Sequence, residues 1–450
     1  MKNYLSIFFI ILFFSCENDI EINDTWKDIP VIYAILNSGT QEDADGYGFE
    51  DPNPFTEFDF DGDTDSDLNN LHFVRVQKSF LGEESAYNYM NISDSIYYDN
   101  NNLSVWAEVI DPNYLGSVNP AQISLIHVGE NELEQLGIDK LDGNFSIDNH
   151  YLYRFPNIND INFNNPDPNV TDISDLCQGG DCNHLYKICV LNNLTGDTAY
   201  AITNIVQPLE MFKPHAHGPT SILKLGLEST PFQIDIQPSI NAKMYSVSLR
   251  FNYLEQSRDS YLFDVENGNA LPTTGVVAKY VDWTFSEVVI TDQNQLNGSG
   301  NRIKKSFYGA EFFTYLKSTI SEQDASQPEF YRYPINTFYQ NFENSQAVAG
   351  IYHRCIDLNI TAVNTELYTY LNANAPNYGL NQERPEYNNV ENGIGHVSSR
   401  SVLNMNNLRI DKQASDSLSF GQITKNLNFA CFSNLGTGYL DINFGYYCDN

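Results

Sequence analysis

Five aspartates recur at every second position from Asp59 to Asp67, within the run Glu57-Phe-Asp-Phe-Asp-Gly-Asp-Thr-Asp-Ser-Asp67. Calcium takes about six to eight hard oxygens, and alternating aspartates around a glycine turn can present them. With Glu57 in the first place of an EF-hand-like loop, Asp59, Asp61, Gly62, Asp63 and Asp65 follow at the third, fifth, sixth, seventh and ninth places. The twelfth place holds Leu68 instead of the usual Glu, so calcium would be held weakly here. A solvated acidic insertion is the other reading, and the incomplete ligand set favours it.

Two further patterns bear on metal and thiol chemistry. In His215-Ala-His217 an extended backbone would point both imidazoles to one side, which is half of a metal site. No third ligand accompanies them, and Pro214 and Gly218 mark the segment as a linker. The seven cysteines are Cys16, Cys177, Cys182, Cys189, Cys355, Cys431 and Cys448. Setting Cys16 aside leaves an even number, which in an exported chain suggests disulfides. Cys177 and Cys182 are spaced to clip a loop, and Cys431 and Cys448 to tie down the C-terminal tail. Cys189 and Cys355 lie in strand-like segments, either paired or as buried thiols. The spacing of Cys177, Cys182 and Cys189 does not suit common zinc ribbons.

Cys16 has its own chemistry. Lys2 precedes an apolar run from Tyr4 to Phe14, too short to span a bilayer but suited to a secretory signal. Ser15 then precedes Cys16, as cleavage by a lipoprotein signal peptidase requires. The Cys16 thiol would carry a diacylglycerol and its freed amino group a further acyl chain, together a stable membrane anchor. Leu usually stands three residues before such a cysteine; here that place holds Phe13, with Leu12 one step earlier.

The charge balance narrows the partners. With 58 Asp and Glu against 24 Lys and Arg, the chain carries a formal charge of −34. Nucleic-acid binding needs cations against phosphate, so this balance excludes it as an expectation. Direct adsorption to an anionic membrane is disfavoured for the same reason. Hydrophobic residues make up 42% of the chain and aromatics 13%, enough for packed cores and too much for a disordered protein.

Periodicity supplies the elements that must position these residues. The chain divides into a signal peptide and lipobox (1–16), a tether (17–28), a β-sandwich domain (29–208), a mixed β-rich domain (209–410) and a polar, aromatic tail (411–450). An acidic insertion at 41–70 holds eleven Asp and Glu and no Lys or Arg. Strands are expected at 29–36, 71–78, 103–110, 122–128, 151–155, 185–191 and 198–206, and their short spacing suggests an antiparallel, Ig-like sandwich. Further strands are expected at 232–236, 244–253, 277–285, 352–360 and 397–408. Two short helices join them. One covers 308–320, where Phe312, Leu316 and Ile320 recur every four residues; the other covers 364–372, capped by Asn364 or Thr361. Gly393 and Gly395 enter the closing strand, where glycine marks a bulge or close backbone packing. The whole is mainly β.

Four stretches, 74–82, 94–98, 249–253 and 391–400, resemble an uncharacterised family of Bacteroidetes outer-membrane lipoproteins, catalogued as a domain of unknown function. They read Val-Arg-Val-Gln-Lys-Ser-Phe-Leu-Gly, Asp-Ser-Ile-Tyr-Tyr, Leu-Arg-Phe-Asn-Tyr and Glu-Asn-Gly-Ile-Gly-His-Val-Ser-Ser-Arg. With the hairpin at 185–206 and the helix at 364–372, the matches spread over most of 29–400. The insertion at 41–70 and the tail after Arg400 depart from the pattern. The resemblance implies an outer-membrane lipoprotein with an N-terminal β-sandwich, of a kind often encoded near TonB-dependent transporters. It implies no catalytic residue. Glu17, Asp19 and Glu21 behind Cys16 resemble the surface-export signal of Bacteroidetes lipoproteins.

No nucleophile elbow, His-Glu-x-x-His, P-loop or dinucleotide fingerprint is present. A glycosidase carboxylate pair leaves no sequence mark, because it is defined by a separation in space. The expectation is therefore a lipid-anchored, non-enzymatic binding or transporter-accessory protein, surface-exposed or facing the periplasm. A carbohydrate-active hydrolase and a structural envelope protein are the alternatives.

Overall fold

The computed structural model describes residues 29–38, 72–79, 97–110, 121–135, 138, 150–156, 176–177, 182–214, 222–226, 231–267, 274–324, 326–334, 354–375, 386–433 and 441–444. The protein is mainly β, and most strand pairs are antiparallel. Its largest sheet has ten strands. Eight run in the order Val276–Val289, Met244–Ser257, Arg354–Val363, Ile394–Ile410, Pro30–Asn37, Phe73–Lys78, Leu152–Arg154 and Ile126–Val128. Ile222–Leu223 and Phe330–Tyr333 pair at its flanks. Where the sequence suggested an antiparallel sandwich for the N-terminal domain, its first strand, Pro30–Asn37, lies parallel to Ile394–Ile410. Period-2 patterning cannot distinguish the two directions, because side chains alternate identically in both.

One side of this sheet covers two cores. In the first, Ile32, Leu36, Val74 and Val76 meet Val105, Ala107, Ile188 and Val190 of a four-stranded sheet. That second sheet runs Ala121–Ser124, Leu103–Ile110, Leu185–Asn192, Thr198–Asn204. The segment expected as one strand over 122–128 divides at Leu125. Its first half joins the four-stranded sheet and its second half the large one. In the second core, Tyr245, Leu249, Phe251, Leu358, Ile360, Leu403 and Met405 face Ile234, Ile236, Ile303 and Phe307 of a three-stranded sheet. The Gly309–Thr319 helix adds Phe312, Phe313 and Leu316. Each such side chain contributes about 1.5–3 kcal/mol by leaving water. The large sheet carries strands from both sides of Pro208, and Ile394–Ile410 gives Val397 to one core and Leu403 to the other.

Two helices match the sequence periodicity: Gly309–Thr319 and Thr365–Asn374. The region also contains Arg258–Glu266 and the short Gln293–Leu296, which periodicity missed. Arg258–Glu266 leaves Leu262, Phe263 and Val265 exposed, so it has no apolar stripe to read. It is held instead by polar contacts: Gln256 donates to the buried Asp264, which also accepts from Thr274. Within the tail, Lys412–Phe420 is a helix capped by Asp411, followed by paired strands Ala430–Ser433 and Asp441–Phe444.

The parallel pair depends on a close backbone approach. Gly395 has φ +124°, and a Cβ there would stand 2.0 Å from the Ile32 carbonyl oxygen. Gly393 is also confined, with Pro30 O 2.9 Å from where its Cβ would be. Gly395→Ala should therefore combine backbone strain with a steric clash. Urea unfolding is expected to show a loss of at least about 2 kcal/mol. A change within about 0.5 kcal/mol, typical of an unconstrained surface position, would contradict this packing.

Candidate functional site

The other side of the large sheet carries less cover. Along Pro30–Asn37 the core takes Ile32, Ala34 and Leu36, while Val31, Tyr33 and Ile35 point outward. A strand apolar on both faces is normally covered on both. Here Tyr33 and Ile35 remain 38% and 42% exposed. Strand register places Arg75 opposite Tyr33 on one side and His396 on the other. Ser398 follows on the same face, opposite Ile35.

The Thr365–Asn374 helix lies against this outer face. Leu367 packs with Met244 and Val363 of the sheet beneath it. Asn364 starts the helix, its side-chain oxygen accepting from Leu367 N at 3.0 Å. Its amide nitrogen donates to Thr203 Oγ1 and to both oxygens of Asn204, and its backbone N–H to Ser399 O. One buried amide thus caps the helix and fixes it to both sheets. The cap expected from the sequence at Asn364 or Thr361 is Asn364.

The turn leading into Ile394–Ile410 is equally constrained. Asn389 spans it, accepting from Val397 N at 2.9 Å and donating to Val397 O at 2.7 Å. Tyr200 pairs with Glu391 through backbone bonds in both directions, and its hydroxyl donates to Glu391 Oε2 at 2.6 Å. These contacts hold His396 in place.

His396 is 2% exposed, and its Nε2 has no hydrogen-bond partner. The Tyr370 ring stacks on it at 4.3 Å, and Tyr387 meets it edge-on at 6.2 Å. Burial pushes the imidazole down to about 4, so it is neutral at physiological pH. Burial also holds the Glu366 carboxyl above its ordinary range, and Oε2 has no partner. Tyr387 is raised by burial and then by the Glu366 charge. Tyr33 is raised by burial and by Tyr370, with Arg75 opposing. Arg75 Nε and Ser398 Oγ are buried and unpartnered as well. Strand register sets Arg75 and His396 on either side of Tyr33, with Ser398 next along the same face; Tyr370 and Tyr387 pack on His396, and Glu366 lies on the helix that carries Tyr370.

Such a grouping is unusual, since buried polar groups are nearly always paired. Each unmet atom costs about 1–3 kcal/mol. Arg75 is the most telling, because carboxylates outnumber cations 58 to 24 in this chain. An acidic partner for it would have been easy to place.

The residues singled out in the sequence fare differently. Cys16, Asp59, Asp61, Asp63, Asp65, His215, His217 and Cys448 lie outside the described residues. Cys177 and Cys182 form a disulfide. Cys189 and Cys355 are buried, as expected of the second alternative for them. The Cys431 backbone pairs with Asn443. Among the described residues, no group of three or more His, Cys, Asp or Glu is placed to hold a metal ion. The stretch 391–400 does enter the site, through His396 and Ser398. Sequence reasoning missed Tyr33, Arg75, Glu366, Tyr370 and Tyr387. The available signal was the two-sided apolar strand with Arg75 on its neighbour.

No family model, curated protein or solved structure matches this chain. The site therefore rests on its geometry alone.

His396 makes stability depend on pH. Between its ordinary 6.5 and about 4, the unfolded chain takes a proton that the folded chain refuses. Acidification through that window destabilises the fold; above it both states are neutral. Glu366, titrating higher when folded than when unfolded, works in the opposite sense. Comparison with His396→Gln separates the two. From about pH 7 to about pH 4, the wild type should lose up to roughly 3 kcal/mol more than the variant. Parallel stability curves would contradict a buried, neutral imidazole.

Proposed function

We propose that this chain is an outer-membrane lipoprotein, anchored through Cys16, that binds a ligand without transforming it. The single observation behind the binding role is the set of unpartnered atoms on Arg75, Glu366, His396 and Ser398, with Tyr370 stacked on His396. A ligand able to supply the missing hydrogen bonds would remove a cost that the free protein carries. Delivery to a TonB-dependent transporter is the role that fits a tethered binder. The same reading treats the N-terminal part as an Ig-like sandwich, supported by one core lined from two sheets.

The anchor sets the working distance. Thirteen residues lie between Cys16 and Pro30. Fully extended, they span at most about 50 Å. The binding face thus operates close to the bilayer, on either the cell surface or the periplasmic side.

A carbohydrate-active hydrolase is the second reading, and Glu366 is what favours it. A carboxyl that holds its proton above the ordinary range resembles a general acid. Glycoside hydrolysis usually needs a second carboxylate within about 5–9.5 Å. The one side chain whose charge interaction with Glu366 is identified is Tyr387, and no second carboxylate is identified beside it among the described residues, which suits binding better than bond cleavage.

Membrane fractionation of wild type against Cys16→Ala tests the anchor. The wild type should sediment with membranes, and the variant should remain soluble without detergent. A variant that stays membrane-bound would contradict the lipoprotein assignment. Protease added to intact cells distinguishes the leaflets, since only a surface protein is cleaved.

A further inference from the structure

The orphaned atoms on the outer face differ in kind, and that difference bears on what binds. Arg75 Nε can only donate. Ser398 Oγ can donate or accept, and so can the neutral imidazole of His396 through its two nitrogens. Glu366 Oε2 accepts when ionised and can donate when protonated. Tyr33 and Tyr370 add flat, partly exposed ring surface nearby, and Leu371 and Ile394 are 45% and 41% exposed.

Simple ligand classes leave part of this set unmet. A hydrocarbon would leave all four atoms without partners. A cation would approach Arg75, which stands in no ion pair among the described residues. A simple carboxylate would suit Arg75 but meet the ionised form of Glu366 and the repulsion of a chain carrying −34. A ring bearing several hydroxyls differs from all three. Each hydroxyl both donates and accepts, and the C–H face of the ring packs on tyrosine.

We infer that the outer face at Tyr33, Arg75, Glu366, Tyr370, His396 and Ser398 is a saccharide-binding site. This rests on the reading of that face as a binding face. Tyr370 and Tyr387 cover His396 in the ligand-free protein, and both are only partly buried. A change of side-chain rotamer at Tyr370 exposes the imidazole without moving the backbone. The turned Tyr370 ring then flanks the sugar and packs on its C–H face.

The test uses the mature, full-length protein in detergent and saturation-transfer NMR. The probes are mono- to hexasaccharides of hexoses, pentoses, N-acetylhexosamines and uronic acids, with benzoate and benzylammonium as ring-bearing ions. At least one saccharide should bind the wild type. Tyr370→Ala and Arg75→Gln should each weaken it tenfold or more while melting cooperatively. Arg75→Lys separates the bond from the charge: retention of the charge alone should not restore affinity. Saccharide binding that survives both Tyr370→Ala and Arg75→Gln would place the sugar elsewhere and overturn the inference. Silence from every saccharide, with benzoate or benzylammonium binding the wild type and not the variants, overturns the saccharide class but preserves the binding face. Silence from every probe overturns both.

Discussion

The structure depends on one parallel strand pair, Pro30–Asn37 against Ile394–Ile410. Its members lie at opposite ends of the described chain, so pairing them costs the entropy of closing a very long loop. That cost is met locally by the ladder and by burial on the core side. Gly395 allows the backbones to approach as closely as they do. With the pair formed, the large sheet is continuous beneath both cores. Without it, Arg75 and Tyr33 would belong to one sheet and His396 to another.

The proposed binding role follows from how the two sides of that sheet are treated. On the core side, apolar side chains line both cores, and the unmet polar atoms, such as Tyr153 Oη and Asp235 Oδ1, are scattered. On the outer side, the ten-residue helix Thr365–Asn374 provides cover among the described residues. Asn364 fixes that helix to Thr203, Asn204 and Ser399, so its position is set by polar contacts and not by a broad apolar stripe. Under it lie polar atoms that a fold selected only for stability would have paired or replaced. Stability has been given up here at a place where a ligand could restore it.

Much of this was legible in the sequence, for identifiable reasons. Leu103–Ile110 and Phe232–Ile236 match the expected strands end to end, because their alternation or apolar run is bounded by turn residues. The Gly309–Thr319 helix was visible through Phe312 and Leu316. Strand direction was not visible, nor was the bend at Leu125 that sends one segment into two sheets. Arg258–Glu266 was hidden because polar anchors, not an apolar face, hold it. The site was hidden for a similar reason: its residues come from 33, 75, 366–398, and only tertiary register aligns them. His396 and Ser398 sat in a stretch that drew notice for its glycines, and Gly395 proves to be the residue that allows their alignment.

The strand register itself offers the most direct test. Ile35 stands opposite Ser398 in the parallel pair. Ile35→Cys combined with Ser398→Cys should form a disulfide readily under mild oxidation. Ile35→Cys combined with Arg400→Cys should not, because two residues of offset add about 6.6 Å and exceed disulfide reach. Mass spectrometry of non-reduced peptides reads the outcome. Cross-linking of the first pair alone is the predicted result. Failure of that pair, or equal cross-linking of both, would contradict the alignment of Tyr33, Arg75 and His396 on which the account rests.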